Sequence, residues 1–346
     1  MTKYLPFELP QISSYGHNAI ALGILNCHPT EQTKLWFTQS YIQLVASRDT
    51  QKIMFDSEFN DNSYLWCPFL LRYIIPLDLL DDSGKDIIDL LRQMIAEEIY
   101  VNIRCDRFYF PFCKARYHQE HFLHYALVVG FDDVSQSVTL VDYFNRKYSL
   151  HTASFDDLRR AFYSEDCRTR KPFGDILTGV KYRESLEFPI TYNPHRLVYL
   201  AEEYLHGDVD TRNDVWRGIS VYDALKQFVN YDIYYLSTIQ IIYDHKVAML
   251  QRIKILDEMG YVHITDNDIL LFEEAVHEAL ILRNMLLKQE ANFLNSSKMQ
   301  QNQKTRILGK IDEFKKIDEK VMMQFIHLVK HSSNNVKATI NRQEHN

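Results

Sequence analysis

The sequence predicts an α+β domain followed by an all-helical domain. Three observations support this prediction. The chain has 346 residues, which suits about two domains of ~100–200 residues each. Up to about residue 185, short apolar runs alternate with turn-forming residues, as in a sheet with short connections. Beyond about residue 190, apolar residues recur at helical spacing. We therefore predict one domain over residues 1–185 and a second over residues 190–346.

Between residues 83 and 106 the sequence predicts a helix and a strand of this sheet domain. Ser83–Asp86 resembles a capping box, a pattern that opens many helices. The apolar residues of 87–95 then recur on one helical face. Tyr100–Asp106 alternates apolar and polar residues, which is the period of a strand. The segment therefore predicts a helix that leads into a strand.

An antiparallel sheet is predicted from the segments that follow. His124–Phe131 is continuous, apolar and β-branched, and Asp132–Ser137 supplies a turn before Val138–Tyr143 returns. Ser154 begins a short capped helix over 158–163. Because the strands are joined by short turns, we expect the first domain to be α+β around a central antiparallel sheet. Two further strands are predicted at Arg146–His151 and Asp175–Tyr182.

The second domain begins near Asn193 and reads as long amphipathic helices. Helices of this length with one apolar stripe form a bundle or a lid on a neighbouring domain. The tail from His331 is polar, and we expect it to fray. The predicted helices cover Val221–Tyr231, Ile239–Met259, Asp268–Asn292 and about Arg306–Lys330.

Composition argues against several classes of function. The chain carries 46 acidic and 39 basic residues, a net charge of −7, and it has no Lys/Arg run; nucleic-acid binding is therefore not expected. Apolar stretches fall short of the ~18 residues of a membrane span, so no membrane insertion is expected. GxGxxG and GxxxxGK[ST] phosphate loops do not occur. We expect no cofactor.

Cysteine usage and the N-terminus predict a cytoplasmic protein. Met1–Pro6 lacks the apolar core of a secretory signal. The number of cysteines is odd and none form a CxxC pair, which argues against a disulfide framework or a zinc knuckle. The five are Cys27, Cys67, Cys105, Cys113 and Cys167.

A histidine and an aspartate on the predicted hairpin form the strongest candidate for chemistry. His124 opens the first strand, and Asp142 lies on the returning strand. If Ala126 pairs opposite Asp142, the two side chains share a face as diagonal neighbours, within reach of each other. A slip of one residue places them on opposite faces. The pair then acts either as a general base with its orienting acid or as a structural hydrogen bond.

The same strands resemble those of papain-like cysteine proteins. His124–Asp133, read as H-x-x-x-V-x-G-F-D-D, and the strand that carries Asp142 look like the family's histidine and acid strands. Asp106–Pro111 resembles a D-x-[YF]-[YF]-x-P segment. The best match is the family named for the N-terminal domain of butirosin biosynthesis protein H, related to the C39-like peptidases. The resemblance covers roughly residues 10–185.

The resemblance implies a papain-like fold, with a helical extension after it, and an acyltransferase activity. Members of this kind move an aminoacyl group from the phosphopantetheine thioester of an acyl or peptidyl carrier protein onto a small-molecule amine. They occur in bacterial natural-product biosynthesis, including nonribosomal peptide assembly. By this resemblance His124 is the general base and Asp142 its orienter. We count Asp106, Tyr109 and Tyr117 with the substrate-binding candidates.

The sequence departs from the family at the nucleophile. Papain-like chemistry needs a thiolate at the N-terminus of the first helix, but His17 or Asn18 holds that position. We therefore count His17 with the catalytic candidates and Asn18 with the substrate-binding ones. Cys27 follows His17 by ten residues, about 15 Å along a helix. Gln11 precedes His17 by six residues, the spacing of an oxyanion-hole glutamine, and we expect the nucleophilic cysteine to be absent.

Other interpretations of the same residues remain open. His118, His121 and His124 are regularly spaced, but the segment turns from loop into strand, so we expect no metal site there. The aromatic residues of 108–117 line an acyl channel or pack in the interior. Cys105 and Cys113 either supply a nucleophilic thiol from a position other than the helix start or belong to the core. A basic patch faces solvent or an acidic carrier protein; its residues are Arg159, Arg160, Arg168, Arg170 and Lys171.

Two functions therefore remain for the whole chain. In the first, an acyltransferase uses His124 as base, and the substrate amine attacks the activated thioester directly. In the second, the chain is a catalytically inactive papain-fold relative that binds or scaffolds proteins of a biosynthetic assembly line. The retained pair of His124 and Asp142 favours the first function, and the missing helix-start cysteine favours the second.

Overall fold

The computed structural model describes residues 1–56, 67–169, 176–233, 235–296 and 301–343. The predicted strand start at Asp175 and the basic-patch residues Arg170 and Lys171 lie outside these residues. The strands are β1 (Thr2–Tyr4), β2 (Leu44–Ser47), β3 (Lys52–Phe55), β4 (Leu70–Pro76), β5 (Tyr100–Asp106), β6 (Leu123–Asp132), β7 (Ser137–Phe144), β8 (Lys147–Ser154), β9 (Ile176–Tyr182), β10 (Asp208–Asp210) and β11 (Val215–Arg217). The helices are α1 (Gly16–Leu25), α2 (Glu31–Thr38), α3 (Leu77–Ser83), α4 (Ile87–Ala96), α5 (Phe155–Phe162), α6 (Glu165–Thr169), α7 (Pro194–His206), α8 (Val221–Asn230), α9 (Leu236–Glu258), α10 (Asp266–Ser296) and α11 (Gln301–Gln343).

The chain is a mixed α/β protein with antiparallel sheets and a helical C-terminal region. It divides into two compact units. The chain enters the second unit three times, and it stays there after Glu187. The first unit comprises residues 1–10, 16–29 and 63–187, and the second comprises residues 11–15, 30–62 and 188–346.

The first unit is built on a sheet in the order β4-β9-β5-β6-β7-β8, with β1 pairing on β6. Strand β6 shares one edge between two partners: its first half pairs with β5, and its end pairs with β1. At Gly130 this edge is crowded, because a Cβ there would lie 2.3 Å from a ring carbon of Tyr4 and 2.8 Å from Lys3 O. Only glycine allows β1 to approach so closely.

Local sequence signals account for most elements of this unit. The predicted strand Tyr100–Asp106 coincides with β5, and the predicted hairpin corresponds to β6 and β7. Ser154 caps α5, since its side chain accepts the Asp157 N–H at 3.0 Å. The expected capping box was wrong. Ser83 ends α3, and α4 begins after Asp86, whose side chain makes no capping hydrogen bond.

The second unit is helical with a small sheet. Helices α7 to α11 occupy the region where the sequence predicts helices, and Asn193 caps the first of them by accepting the Arg196 N–H. Helix α11 continues to Gln343, past His331, where fraying was expected. The sequence did not predict the sheet, which has the order β10-β11-β2-β3. Its strands are three or four residues long, too short for a periodic signal.

A buried polar network ties the helices of the second unit together. The Lys246 ammonium on α9 pairs with the Asp318 carboxylate on α11, and both side chains are fully buried. Tyr204 and Tyr222 donate to Asp318 Oδ2 at 2.7 and 2.6 Å. Because an unpaired charge in such a core is costly, the network favours one alignment of α7, α8, α9 and α11.

Within the described ranges, no helix combines the length and the apolar character that crossing a bilayer requires.

Candidate active site

The hairpin of β6 and β7 has the register that brings His124 and Asp142 together. The pairing of β6 with β7 begins with Leu127 opposite Val141, and the same register carried one residue further would set Ala126 opposite Asp142. The strands shift register only farther along, between Val128 and Gly130. His124 Nδ1 lies 2.7 Å from Asp142 Oδ2. The geometric condition stated for this pair is therefore met.

Two acceptors fix the tautomer of His124. Its Nδ1 faces Asp142 Oδ2 at 2.7 Å and the carbonyl oxygen of Tyr125 at 2.9 Å. Because a carboxylate and a carbonyl only accept, Nδ1 carries the proton and donates. In the neutral ring, Nε2 is then the nitrogen that carries the lone pair. The His124 side chain is 45% exposed while that of Asp142 is 5% exposed, so an accessible base is backed by a buried acid.

Arg107 is the second partner of Asp142, and the sequence analysis did not single it out. Its Nη2 donates to Asp142 Oδ2, the oxygen that also faces His124. Its Nη1 donates to the carbonyl oxygen of Tyr143 at 2.5 Å. The guanidinium lies 5.4 Å from the ring centre of Phe122 and 5.1 Å from that of Phe144, distances typical of cation–π contacts. Asp142 is therefore held from two sides.

The N-terminus of α1 lies beside the carboxylate of Asp142. A Cβ built on Gly16, the first residue of α1, would lie 3.9 Å from Asp142 Oδ1. His17 follows as a half-buried residue, and Asn18 is fully buried. The helix start, which carries the nucleophile in papain-like enzymes, is thus next to the acid of the pair, and it carries no thiol.

The five thiols are poorly suited to act as nucleophiles. Cys105 pairs across the sheet with His124, but it is 1% exposed and burial raises its pKa well above the usual value. Burial also raises the pKa of Cys113 to about 11. Cys27 lies beyond the last residue of α1 and its pKa is raised by burial and by Glu8. Reactive cysteines need the opposite, a lowered pKa and access. Burial likewise raises the pKa of Cys67 and Cys167.

The segment after β5 contains the other predicted substrate-binding residues. Asp106 is fully buried, and its Oδ1 accepts the N–H groups of Phe108 and Phe122, each at 3.1 Å. Tyr109 is half-buried and packs edge-on against Phe108. Tyr117 is 37% exposed. Substrate binding by these residues remains a prediction.

Gln11 belongs to the second unit. It is exposed, and its Oε1 accepts a hydrogen bond from Gln251 Nε2 at 2.9 Å. Its neighbours Ser13 and Ser14 donate their backbone N–H groups to Asp244 Oδ2 at 2.7 and 2.6 Å. The role of Gln11 in an oxyanion hole remains a prediction.

The described arginines of the basic patch pair with nearby acids. Arg159 contacts Asp86 at 2.5 Å. Arg160 contacts Asp157 at 2.7 Å, and Arg168 pairs with Asp81. These local pairs reduce the positive potential that an acidic partner would experience.

The regularly spaced histidines do not converge on one point. Among the described residues, one group of three or more metal-ligand side chains comes together, and it consists of Asp106, His121 and Asp166. Asp166 was not considered in the sequence analysis, since it lies 45 residues from His121 and no motif connects them.

No protein-family model matches the chain, and no curated protein matches its sequence. The description of the site therefore depends on its geometry.

Proposed function

We propose that the chain transfers an acyl or aminoacyl group from a carrier-protein thioester to a small-molecule amine, with His124 as the general base. The contact between His124 Nδ1 and Asp142 Oδ2 is the observation on which this proposal depends. It also rests on a papain-like interpretation of the first unit. That interpretation comes from the resemblance to the butirosin H family. The helix N-terminus beside the histidine–aspartate pair supports it.

The proposed reaction proceeds without an acyl-enzyme. The amine nitrogen attacks the thioester carbonyl carbon, and His124 Nε2 takes the proton that this nitrogen releases. The C–S bond then breaks, and the imidazolium returns the proton to the departing pantetheine thiolate. Asp142 stabilises the imidazolium through Nδ1–H. The raised pKa values of the five thiols support direct attack over a covalent route.

Direct attack is energetically reasonable because a thioester is already activated. A positioned base contributes a factor of ~10²–10⁴, and holding the amine next to the carbonyl contributes a further entropic advantage. The donor implied by the family is the phosphopantetheine arm of an acyl or peptidyl carrier protein, in a bacterial natural-product pathway such as nonribosomal peptide assembly.

A second candidate function is a catalytically inactive papain-fold binding or scaffold module. One observation favours it: Arg107 donates to the same Asp142 oxygen that faces His124. A carboxylate that is already neutralised by a guanidinium stabilises an imidazolium less, which suits a structural pair. In this alternative the same surface binds carrier-linked chains without turnover.

The test uses the purified full chain with aminoacyl-pantetheine donors and a panel of small amines, and mass spectrometry detects the amide. We expect His124→Gln to reduce turnover by about 10²-fold or more. His118→Asn, on a nearby exposed histidine, is the matched control and should retain turnover. Because the His124 side chain is 45% exposed, the free energy of unfolding of His124→Gln should lie within ~1 kcal/mol of the wild-type value.

Intact-protein mass spectrometry separates the mechanisms. Direct attack predicts amide formation with no acyl adduct on the protein. An adduct that is lost on thiol blocking would contradict this route and indicate a cysteine nucleophile. Full turnover by His124→Gln would rule out the base, and tight binding without any turnover would favour the scaffold function.

A further inference from the structure

The segment after β5 and the short helix α6 bring three ligand-type side chains to one point. His121 Nδ1 lies 2.6 Å from Asp106 Oδ2 and 3.3 Å from Asp166 Oδ2. The three donor atoms all lie within 4.8 Å of one another. We propose that Asp106, His121 and Asp166 form a binding site for a divalent transition-metal ion.

The spacing of the three atoms suits a single cation. Metal–oxygen and metal–nitrogen bonds to such ligands are ~2.0–2.2 Å long. His121 Nδ1 and Asp106 Oδ2 are 2.6 Å apart, a hydrogen-bond distance, so a bound ion takes the place of the proton between them and the two side chains move apart to admit it.

The ligands are already fixed by groups around them. Asp106 is fully buried, and its Oδ1 accepts the backbone N–H groups of Phe108 and Phe122, which directs Oδ2 toward His121. The imidazole of His121 stacks on the Phe108 ring, with centroids 4.2 Å apart and planes 13° apart. Metal sites typically use this kind of outer support to hold their first ligands.

The donor set indicates the class of metal. One imidazole with two carboxylates suits Zn²⁺, Mn²⁺ or Fe²⁺ better than Ca²⁺ or Mg²⁺, which prefer all-oxygen sites. A dipositive ion balances the charge of both aspartates. The His121 side chain is 39% exposed and that of Asp166 21% exposed, so water has access to the remaining coordination positions.

This site is separate from the candidate active site. Cys105 pairs with His124, and Asp106 pairs with Leu123. Successive residues of a strand point to opposite faces, so Asp106 leaves the sheet on the face opposite to His124. The metal proposal therefore uses neither His124 nor Asp142, and Asp106 is the one ligand that also stands among the predicted substrate-binding residues.

The experiment uses the full chain without an affinity tag, stripped with a chelator, at pH 7.5. Zn²⁺, Mn²⁺ and Mg²⁺ are titrated separately by calorimetry, and thermal unfolding is followed with and without each ion. We expect saturable binding of one Zn²⁺ or Mn²⁺ per chain with a rise in Tm. Asp166→Asn and His121→Gln should each weaken binding at least 10-fold.

Matched controls lie next to both ligands. Glu165→Gln changes the exposed neighbour of Asp166 in α6, and His118→Asn changes a second histidine that stacks on Phe108; both should bind the metal as the wild type does. No saturable binding of Zn²⁺ or Mn²⁺ would overturn the proposal. Equal binding by Asp166→Asn and His121→Gln would also overturn it, and preference for Mg²⁺ would overturn the transition-metal assignment.

Discussion

At the scale of single residues, the Asp142 carboxylate is the centre of the candidate active site. One of its oxygens faces the guanidinium of Arg107 and the imidazole of His124. The Arg107 side chain is 12% exposed and that of Asp142 5% exposed, so the ion pair is screened little by solvent. Loss of the arginine removes the guanidinium charge from a carboxylate that stays buried.

We expect Arg107→Met to lower the free energy of unfolding by ~3–5 kcal/mol, because it leaves a buried charge uncompensated. Urea denaturation measures this loss. Arg160→Met is the matched control: its pair with Asp157 involves a side chain that is 59% exposed, and its loss should cost at most ~1 kcal/mol. Equal effects of the two variants would show that the Arg107–Asp142 pair is not important for stability.

The site illustrates which residue contacts a sequence can predict. His124 and Asp142 lie on two consecutive strands, so a single register decides whether they meet, and the hairpin sequence restricts that register. Arg107 was within the quoted motif, but its long side chain reaches Asp142 from 35 positions away. No periodicity connects such residues, and the same holds for His121 and Asp166.

At the scale of elements, helix α9 fixes the segment that precedes α1 in sequence. The fully buried Asp244 of α9 accepts the N–H groups of Ser13 and Ser14. Burial raises the pKa of Asp244 to about 6, although these hydrogen bonds oppose the shift. The protonated carboxyl is therefore preferred in the folded state relative to the unfolded chain.

This preference makes stability depend on pH in a defined direction. A raised folded pKa contributes stability that is complete below the ordinary value of 3.8 and is lost as the pH rises through about 6. Relative to Asp244→Asn, the wild type should gain ~2 kcal/mol between pH 7.5 and pH 4.5. Urea unfolding of both proteins at the two pH values measures the gain, and parallel behaviour of the two proteins would contradict it.

Elements differ in how well the sequence specifies them. The alternation in β5 and the Ser154 cap of α5 are local signals, and both predictions were confirmed. Strands β10 and β11 have three residues each and are stabilised by pairing with each other and with β2. Their conformation depends on partners far along the chain, so the local pattern did not distinguish them from the helices around them.

At the scale of the whole molecule, the chain alternates between its two units instead of completing one before the other. Residues 30–62 belong to the second unit although residues 63–187 belong to the first. Strand β2 pairs with β11, so the early segment depends on residues beyond Glu187. A cut between predicted domains therefore also divides the second unit.

We expect a chain truncated after Glu187 to aggregate. It lacks β11, α8 and α9, which pack on β2 and β3, and it exposes apolar side chains that are fully buried in the complete chain. Size-exclusion chromatography measures the aggregation, and binding of an apolar dye measures the exposed apolar surface. Replacing residues 30–62 of the truncated chain with a flexible Gly/Ser linker should restore a monomer, whereas a monomeric truncated chain without the linker would contradict the prediction. The side chains exposed are Leu44, Val45, Ile53 and Phe55.

In the small sheet, strands β2 and β3 are synthesised long before their partner strand β11. Val215, the first residue of β11, follows Phe55 by 160 positions. At ~5–20 residues per second, a ribosome needs roughly 10–30 s to make that stretch. Throughout this interval the β2–β3 hairpin is outside the ribosome with its open edge and apolar face unpartnered. We therefore expect the nascent chain to bind chaperones that recognise extended apolar segments, and slower translation to lengthen that contact.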